Sequence, residues 1–346
     1  MNDDLLADSI EQLLSGRCGL QRVREVEADA SGAAGASMWR ELAESGFADA
    51  LVAEARGGSG LRLDEAGAIA LACGRHALPV PLALTMVARA ALSEAGLALP
   101  DGSITVATST IDPAGGAFAC AAVPFGMSAD HVLVGAPSGG WLVPCDATQR
   151  VRAGGRASLA ADLRWSALPD ELPRLPGGGP AAIDWRAVGA AITAAQIAGA
   201  AERVSQMTIA YANDRVQFGK PIGKIQAIQQ QLSVMAEHSV AARAAAMLGL
   251  AGRGWRVDPL RAAVAKARTG EAAAQVAAIA HAVHGAIGVT EEFDLQMFTR
   301  RLHEWRMQYG GESYWSRRLG RALLGASSPP LQFVQERLSA AAAGRA

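Results

Sequence analysis

The sequence contains, between two stretches of helical spacing, the run Arg215-Val216-Gln217-Phe218-Gly219-Lys220-Pro221-Ile222. This run combines a permanent cation, an aromatic ring and a glycine turn where one helix gives way to the next. A guanidinium group stays charged and presents a rigid fork of donors to phosphate oxygens. Taken alone, Arg215 is better explained as a solvated or ion-paired residue near Asp214, because short motifs also match by chance. Taken as a whole, the run predicts a loop that binds a phosphorylated cofactor.

Helical spacing extends on both sides of this loop. Before it, apolar residues recur on one helical face over about 30 residues: Val188, Ile192, Ala195, Gly199, Val204, Met207 and Tyr211. A second helix is predicted to begin after Lys224. A third begins at Asp258-Pro259, where Asp caps free amides and Pro takes the first helical position, and it ends at Gly285. With a last helix after Gly311, residues 184–346 are predicted to form a four-helix bundle.

The part of the chain before the bundle is predicted to form two domains. Residues 1–100 show apolar spacing of three and four residues, which predicts a helical domain. Residues 101–176 are predicted to form a small β domain, because β-prone runs alternate there with turn residues. These runs are Ile104-Thr105-Val106, Ala117-Phe118-Ala119, His131-Val132-Leu133-Val134 and Trp141-Leu142-Val143. Pro173 to Pro180 is predicted to be a linker, so the fold class is mainly α with a small β domain.

Composition and charge argue against several function classes. The 346 residues carry 32 basic and 33 acidic side chains, so no nucleic-acid-binding surface is predicted. The stretch from Ala272 to Val283 is shorter than the ~20 residues of a bilayer span, which favours a buried helix and no membrane segment. His281 and His284 lack the convergent spacing of a zinc site, so no metal is predicted. The acidic start at Asp3 and the four dispersed cysteines favour a cytoplasmic protein.

Further groups of residues follow one another in a recognisable order. The first domain carries Trp39-Arg40-Glu41-Leu42-Ala43-Glu44-Ser45-Gly46, Gly57-Gly58-Ser59-Gly60-Leu61, Gly74-Arg75 and Pro79-Val80-Pro81. The third carries Gly199-Ala200-Ala201-Glu202-Arg203, Tyr211, the loop from Arg215 to Ile222, and His284-Gly285-Ala286-Ile287-Gly288-Val289-Thr290-Glu291. Each motif alone is weak, but together they make most of the chain similar to the acyl-CoA dehydrogenases. The resemblance implies the fold of that family: N-terminal helical domain, middle β domain and C-terminal four-helix bundle.

The resemblance also implies a reaction and a cofactor. The reaction is α,β-dehydrogenation of an acyl-CoA substrate, in which a carboxylate removes the α-proton and FAD accepts the β-hydrogen as hydride. In this family the arginine that matches Arg215 reaches the diphosphate of an FAD held largely by a neighbouring subunit, and Phe218 would pack near the adenosine. The residues implied to contact FAD are Arg215, Gln217, Phe218, Gln226, Gly285 and Ala286.

Three departures from the family pattern concern the flavin ring and the proton chemistry. The Thr-Glu-Pro-like and Gly-Ser-Asp segments and the Trp-Ile-Thr strand beneath the flavin ring are missing, and the first region carries Ile111-Asp112-Pro113-Ala114-Gly115-Gly116 instead. Ala282 stands where the family often has a glutamine. Tyr309-Gly310 stands where the family commonly has Tyr-Glu, and a glycine cannot abstract a proton.

The sequence offers two weak replacements for the missing base. Some relatives place the base on the helix before the loop, but the matching positions here are Gly189-Ala190. Asp184 lies about a turn and a half earlier on that helix. Glu312 lies close to Gly310, although an acidic residue in the first turn of a helix is more simply explained by the helix dipole.

The losses are selective, because the residues that reach a neighbour's cofactor remain. We therefore hypothesise that the chain is the subunit without the base in a heteromeric, FAD-dependent acyl-CoA dehydrogenase. Its partner would be a longer homologous subunit in an α2β2 assembly, an arrangement that resembles some enzymes of steroid side-chain degradation. One alternative is a self-sufficient homo-oligomer that uses Glu312 or Asp184 as base. Another is a non-catalytic scaffold that binds a partner through the bundle.

Overall fold

The first part of the chain is helical, as its apolar spacing predicts. The computed structural model describes residues 2–29, 31–108, 118–136, 139–146, 148–167, 169, 171–177 and 182–338. The first helices are α1 (Asn2–Arg17), α2 (Leu20–Ala28), α3 (Ala33–Ala43), α4 (Gly67–Arg75) and α5 (Leu82–Glu94). Their buried apolar side chains form one core that continues into the first long helix of the bundle.

The middle part of the chain forms two small packed sheets. Its strands are β1 (Ile104–Ala107), β2 (Phe118–Val123), β3 (His131–Ala136), β4 (Gly139–Pro144), β5 (Thr148–Arg152), β6 (Ala161–Trp165) and β7 (Arg174–Leu175). One sheet has the order β1-β3-β4-β7, with β1 parallel to β3, and the other has the antiparallel order β2-β6-β5. The rings of Phe118 and Trp165 meet edge to face, 4.9 Å apart, in the cluster between the sheets.

The predicted β runs coincide with β1 to β4 where the structure describes them, whereas β5, β6 and β7 were not predicted. Ala117 and the segment from Ile111 to Gly116 lie outside the described residues. Arg174 and Leu175, which the sequence assigned to a linker, pair with Trp141 and Gly140 of β4. The linker prediction was wrong there because this pairing depends on a strand distant in sequence.

The last part of the chain is built on three long helices that the sequence predicts well. They are α6 (Trp185–Asp214), α7 (Gln226–Leu250) and α8 (Pro259–His284). The Asp258 carboxylate accepts hydrogen bonds from the amides of Leu260 and Arg261, with Pro259 in the first turn. Gly285, at a φ of +64°, ends α8.

The fourth place in the bundle differs from the prediction. The helix expected after Gly311 is α10 (Glu312–Leu324), but α9 (Leu295–Met307) precedes it and α11 (Pro330–Arg337) follows. Tyr309 and Gly310 separate α9 from α10 with φ values of +57° and +106°. These left-handed residues cannot continue a right-handed helix, so two short helices occupy the place of one.

Among the described residues, the helical segment Pro259–Val289 is long and apolar enough to cross a membrane. The apolar helix is therefore longer than the stretch from Ala272 to Val283 that the sequence analysis considered. In the structure α8 packs against α6, α7, α9 and α10. The core helix of a bundle and a membrane span can share the same length and composition.

Helices α4 and α6 cross at two glycines that carry the family-like motifs. A Cβ atom on Gly74 would lie 1.9 Å from the carbonyl oxygen of Gln196, and one on Gly199 would lie 1.9 Å from that of Leu71. Only glycine allows this approach of two backbones. Next to the crossing, Arg75 donates to Glu202 at 2.8 Å. The motifs Gly74-Arg75 and Gly199 to Arg203 thus form a contact between the first domain and the bundle.

Candidate functional site

The loop from Arg215 to Ile222 is a β-hairpin that holds a phenylalanine in a strained position. Strands β8 (Val216–Gln217) and β9 (Lys220–Pro221) pair antiparallel. Phe218 and Gly219 join them with φ values of +52° and +75°. Asparagine, aspartate and glycine are the usual residues of such a turn, because a larger side chain is strained there. The Phe218 side chain is nonetheless 91% exposed. Within the described residues the ring gains almost no buried contact that would offset the strain, and it is accessible to another molecule.

Arg215 lies beside this hairpin with its side chain exposed. Its backbone is fixed by two hydrogen bonds of 2.8 Å: the amide of Arg215 donates to the carbonyl oxygen of Tyr211, and its carbonyl oxygen accepts from the amide of Ile222. Within the described part of the chain, no carboxylate forms an ion pair with its guanidinium group, and this includes the neighbouring Asp214. Of the two forms of the alternative explanation, the ion-paired helix end therefore loses its support, whereas the solvated residue agrees with the exposed side chain. The side chain is free to bind an external anion.

Tertiary packing brings the end of α8 next to the hairpin. Ile222, Ala212 and Val283 form a small buried cluster. The ring of Tyr211 stacks on that of His284 with centroids 4.3 Å apart. The residues that the sequence proposed as cofactor contacts are all exposed near this cluster: Arg215, Gln217, Phe218, Gln226, Gly285 and Ala286. We call these six residues the hairpin surface.

The hairpin surface fits a cofactor that has both phosphate groups and a flat ring. The guanidinium of Arg215 can pair with phosphate oxygens, and the exposed Phe218 ring can pack on a planar group. A Cβ atom built on Gly285 meets no atom within 4 Å, so the backbone there is open to a ligand. Ala282 is also exposed but offers no hydrogen bond. Among the described residues, no three His, Cys, Asp or Glu side chains cluster as metal ligands would.

The positions that the resemblance matches to the base of relatives are Gly310 and Gly189-Ala190, and the structure places Gly189 against Tyr309, the neighbour of Gly310. The hydroxyl of Tyr309 donates to the carbonyl oxygen of Val106 at 2.8 Å, and its ring lies against Gly189. A Cβ atom on Gly189 would lie 2.4 Å from the ring. The carbonyl of Gly310 accepts from Lys266 at 3.2 Å and from Trp315 at 3.1 Å. The Tyr309 ring therefore fills the space that a side chain at position 189 would need.

The two replacement candidates for the base both have structural partners. Asp184 caps α6 by accepting from the amide of Ala187, and it also accepts from Arg318 at 2.7 Å. Glu312, in the first turn of α10, accepts from Arg306 at 2.5 Å and lies against Gly270 of α8. These contacts account for both carboxylates without catalysis. Their role as bases stays a prediction.

A cleft between the β domain and α9 holds a carboxylate that the sequence analysis did not single out. Two adjoining cavities of about 400 and 450 Å³ share Gly154, Glu304 and Gln308 in their lining. We call them the interdomain cleft. Glu304 accepts from the side chain of Gln308 at 3.1 Å, and burial raises the pKa of its carboxyl group. The sequence signal that could have indicated Glu304 is its spacing of one helical turn from Gln308, shortly before Tyr309.

Comparison with known proteins agrees with this architecture. The family model described as acyl-CoA dehydrogenase, C-terminal domain, matches residues 178–322. The chain is 31% identical over 307 residues to the acyl-CoA dehydrogenase IpdE2 of Mycobacterium tuberculosis, covering 86% of this chain and 90% of that protein. It is also 29% identical to the acyl-CoA dehydrogenase FadE34 of the same organism, over 82% of this chain and 42% of that one.

Two solved heteromeric structures share the fold over nearly the whole chain. One is the Tcur3481-Tcur3483 steroid ACAD G363A variant, with a TM-score of 0.79, 28% identity, and coverage of 94% of this chain and 99% of that chain. The other is the ChsE4-ChsE5 complex from Mycobacterium tuberculosis, with a TM-score of 0.79, 23% identity, and coverage of 95% and 98%. The predicted fold class, a mainly helical chain with a small β domain, is confirmed.

Proposed function

The chain belongs to the acyl-CoA dehydrogenase family, whose members are FAD-dependent oxidoreductases that act on CH–CH bonds, and from this premise we propose that it is the subunit without a catalytic base in a heteromeric enzyme. Its hairpin surface completes the FAD site of a longer partner subunit. The observation that carries the proposal is the exposed, strained Phe218 beside Arg215, which forms no ion pair within the described residues. This surface is prepared for an external ligand, whereas Gly310 and Gly189 offer no base.

In this proposal the chain positions the cofactor and the partner performs the proton transfer. When bound, FAD supplies the acceptor for the hydride that leaves the β-carbon of the acyl-CoA. Arg215 pairs with the diphosphate, and Phe218 packs against the nucleoside end. A carboxylate of the partner accepts the α-proton, since neither Gly310 nor Gly189 can. Held on both sides, the cofactor keeps its reactive ring in a fixed orientation.

The similar proteins support a steroid-derived acyl-CoA as the substrate class. The Tcur3481-Tcur3483 enzyme is a steroid ACAD, and the chain is 28% identical to one of its subunits over nearly its full length. That enzyme and the ChsE4-ChsE5 complex are each named for two components, which supports a partner subunit for this chain. The assembly proposed is α2β2.

The test is the flavin content of the complex. The chain would be co-expressed with a candidate partner, a longer acyl-CoA dehydrogenase subunit that carries the Tyr-Glu motif, and bound FAD per complex would be measured by absorbance. Arg215→Ala should lower FAD retention by about tenfold or more, because a hydrogen-bonded ion pair to phosphate is lost. Arg253→Ala is the matched control, since Arg253 is an exposed arginine on another short hairpin, formed by β10 (Gly252–Arg253) and β11 (Arg256–Val257).

Two outcomes would overturn the proposal. Unchanged flavin content in Arg215→Ala would remove the cofactor role of the hairpin surface and favour the scaffold alternative. A yellow, dye-reducing protein obtained from this chain alone would favour the self-sufficient homo-oligomer. In that case Glu312→Gln and Asp184→Asn would tell which carboxylate acts as base.

A further inference from the structure

A separate cavity of about 440 Å³ lies between the first helices of the chain and the bundle. Its lining comes from α1 and the start of α2, from the end of α4, and from α6 and α9. It shares no lining residue with the interdomain cleft or the hairpin surface. We call it the helical cavity. Six of its lining side chains are polar or charged: Glu11, Ser15, Arg75, His76, Arg203 and Gln206.

The carboxylates of this region are already paired with cations. Glu11, which lines the helical cavity, pairs with Arg75 and contacts the ring of His76 at 2.8 Å. Glu202, on α6, pairs with Arg75 and with Arg243, each at 2.8 Å. Each carboxylate thus lies against at least one permanent cation, which reduces its repulsion of an entering anion.

Arg203 is a cation of the helical cavity without such a partner. None of the described carboxylates pairs with its guanidinium group, although Glu202 is its neighbour in sequence. Gln206 lies three residues further along α6, so the two side chains are neighbours on the helix surface. Ser15 of α1 lines the same cavity. The side chains of Ser15, Arg203 and Gln206 are exposed and form no hydrogen bonds with other described residues, so their donors are available to a ligand.

We propose that the helical cavity binds a phosphate group, either free or esterified to a small molecule, through Arg203, Gln206 and Ser15. A phosphate group presents several strong acceptor oxygens in different directions, so it can accept from donors on two helices at once. Arg203 supplies the attraction, because a guanidinium group stays charged at any physiological pH. The volume of about 440 Å³ lies in the range of small-molecule sites.

The ring of His76 provides a readout confined to this cavity, because the other histidines do not line it. Full-length protein would be titrated with sodium phosphate at fixed pH and ionic strength while the imidazole signals are followed by NMR. The His76 signal, assigned with His76→Gln, should shift to saturation. Arg203→Gln should weaken the apparent affinity about tenfold or more, because charge-assisted hydrogen bonds are lost. Arg317→Gln, which changes an exposed arginine of α10, is the control and should preserve the affinity.

A second variant tests the location by charge repulsion. Ser15→Glu places a negative charge on an exposed residue of the cavity and should prevent the shift of the His76 signal. Ser316→Glu adds the same charge to an exposed residue of α10 outside the cavity and should not. An unsaturable shift, or one that survives Arg203→Gln or Ser15→Glu, would overturn the proposal.

Other ligands distinguish the chemistry and the source of the anion. Acetate, which carries a single charge and a planar group, should bind about tenfold more weakly than phosphate, and equal affinities would contradict the proposal. Tighter binding of phenyl phosphate than of inorganic phosphate would identify an esterified ligand. Tighter or equal binding of inorganic phosphate would identify the free anion.

The proposal does not rest on the flavin contacts of the hairpin surface. Arg215→Ala should leave the phosphate titration of His76 unchanged even where flavin content falls, and Arg203→Gln should leave flavin content unchanged. A chain that binds phosphate at His76 but contributes nothing to flavin retention would refute the proposed function alone. A chain that supports flavin retention without a phosphate response at His76 would refute the cavity proposal alone.

Discussion

Replacing Phe218 with asparagine should stabilise the isolated chain while weakening the proposed contact with FAD. Phe218 has a φ of +52° in the turn between β8 and β9. The left-handed conformation costs an L-residue about 1–2 kcal/mol, and asparagine tolerates it better. Because the ring is 91% exposed, its removal uncovers little apolar surface. We therefore expect the free energy of unfolding to rise by about 1 kcal/mol.

Urea and thermal unfolding of the isolated chain would measure this gain. A change of about 1 kcal/mol corresponds to a rise in Tm of about 1–3 °C for a chain of this size. Phe218→Ala is the matched control, since it removes the ring but leaves a residue that is also strained at positive φ. Its free energy of unfolding should change by less than about 0.5 kcal/mol. Both variants should lower the flavin content of the co-expressed complex.

Two results would refute this reasoning. An unchanged or lower Tm for Phe218→Asn would mean that the turn is not strained by the aromatic residue. A higher Tm with unchanged flavin content would mean that the strain is real but that the ring does not contact the cofactor.

Two further predictions concern the packing around Tyr309. Gly189→Ala should lower the free energy of unfolding by about 1–3 kcal/mol, because its Cβ would lie 2.4 Å from the Tyr309 ring. Gly320→Ala in α10 is the control, because a Cβ atom there meets no atom within 4 Å, and it should raise the free energy of unfolding by about 0.5–1 kcal/mol. Both variants would be measured by urea unfolding. Equal effects would contradict the contact between Gly189 and the Tyr309 ring. Burial lowers the pKa of Lys266 to about 7, whereas an unfolded lysine titrates near ~10.4. The unfolded chain binds more protons at Lys266 between these values, so the contribution of Lys266 to the free energy of unfolding should rise from about pH 7 to about pH 10. In a urea series across this range, the free energy of unfolding of the unaltered chain should rise relative to that of Lys266→Met.

The long helices could be predicted because their signals are local. Asp258 and Pro259 start α8 and Gly285 ends it through contacts within a few residues. The short elements could not be predicted in the same way. Strand β7 exists because it pairs with β4, and α9 is separated from α10 by the left-handed Tyr309 and Gly310. Such pairings and breaks depend on tertiary contacts that override local propensity.

The candidate site likewise has features that the sequence determines and features that depend on tertiary contacts. The sequence by itself determined which chemistry is missing, because the glycines at positions 189 and 310 carry no carboxylate in any fold. It also supplied the run from Arg215 to Ile222. Only the tertiary structure decided that Tyr309 fills the space beside Gly189, that Glu304 and Arg186 line one cleft, and that Phe218 is exposed. Contact and exposure are properties of residues brought together from distant parts of the chain, whereas the presence of a functional group is a property of each residue alone.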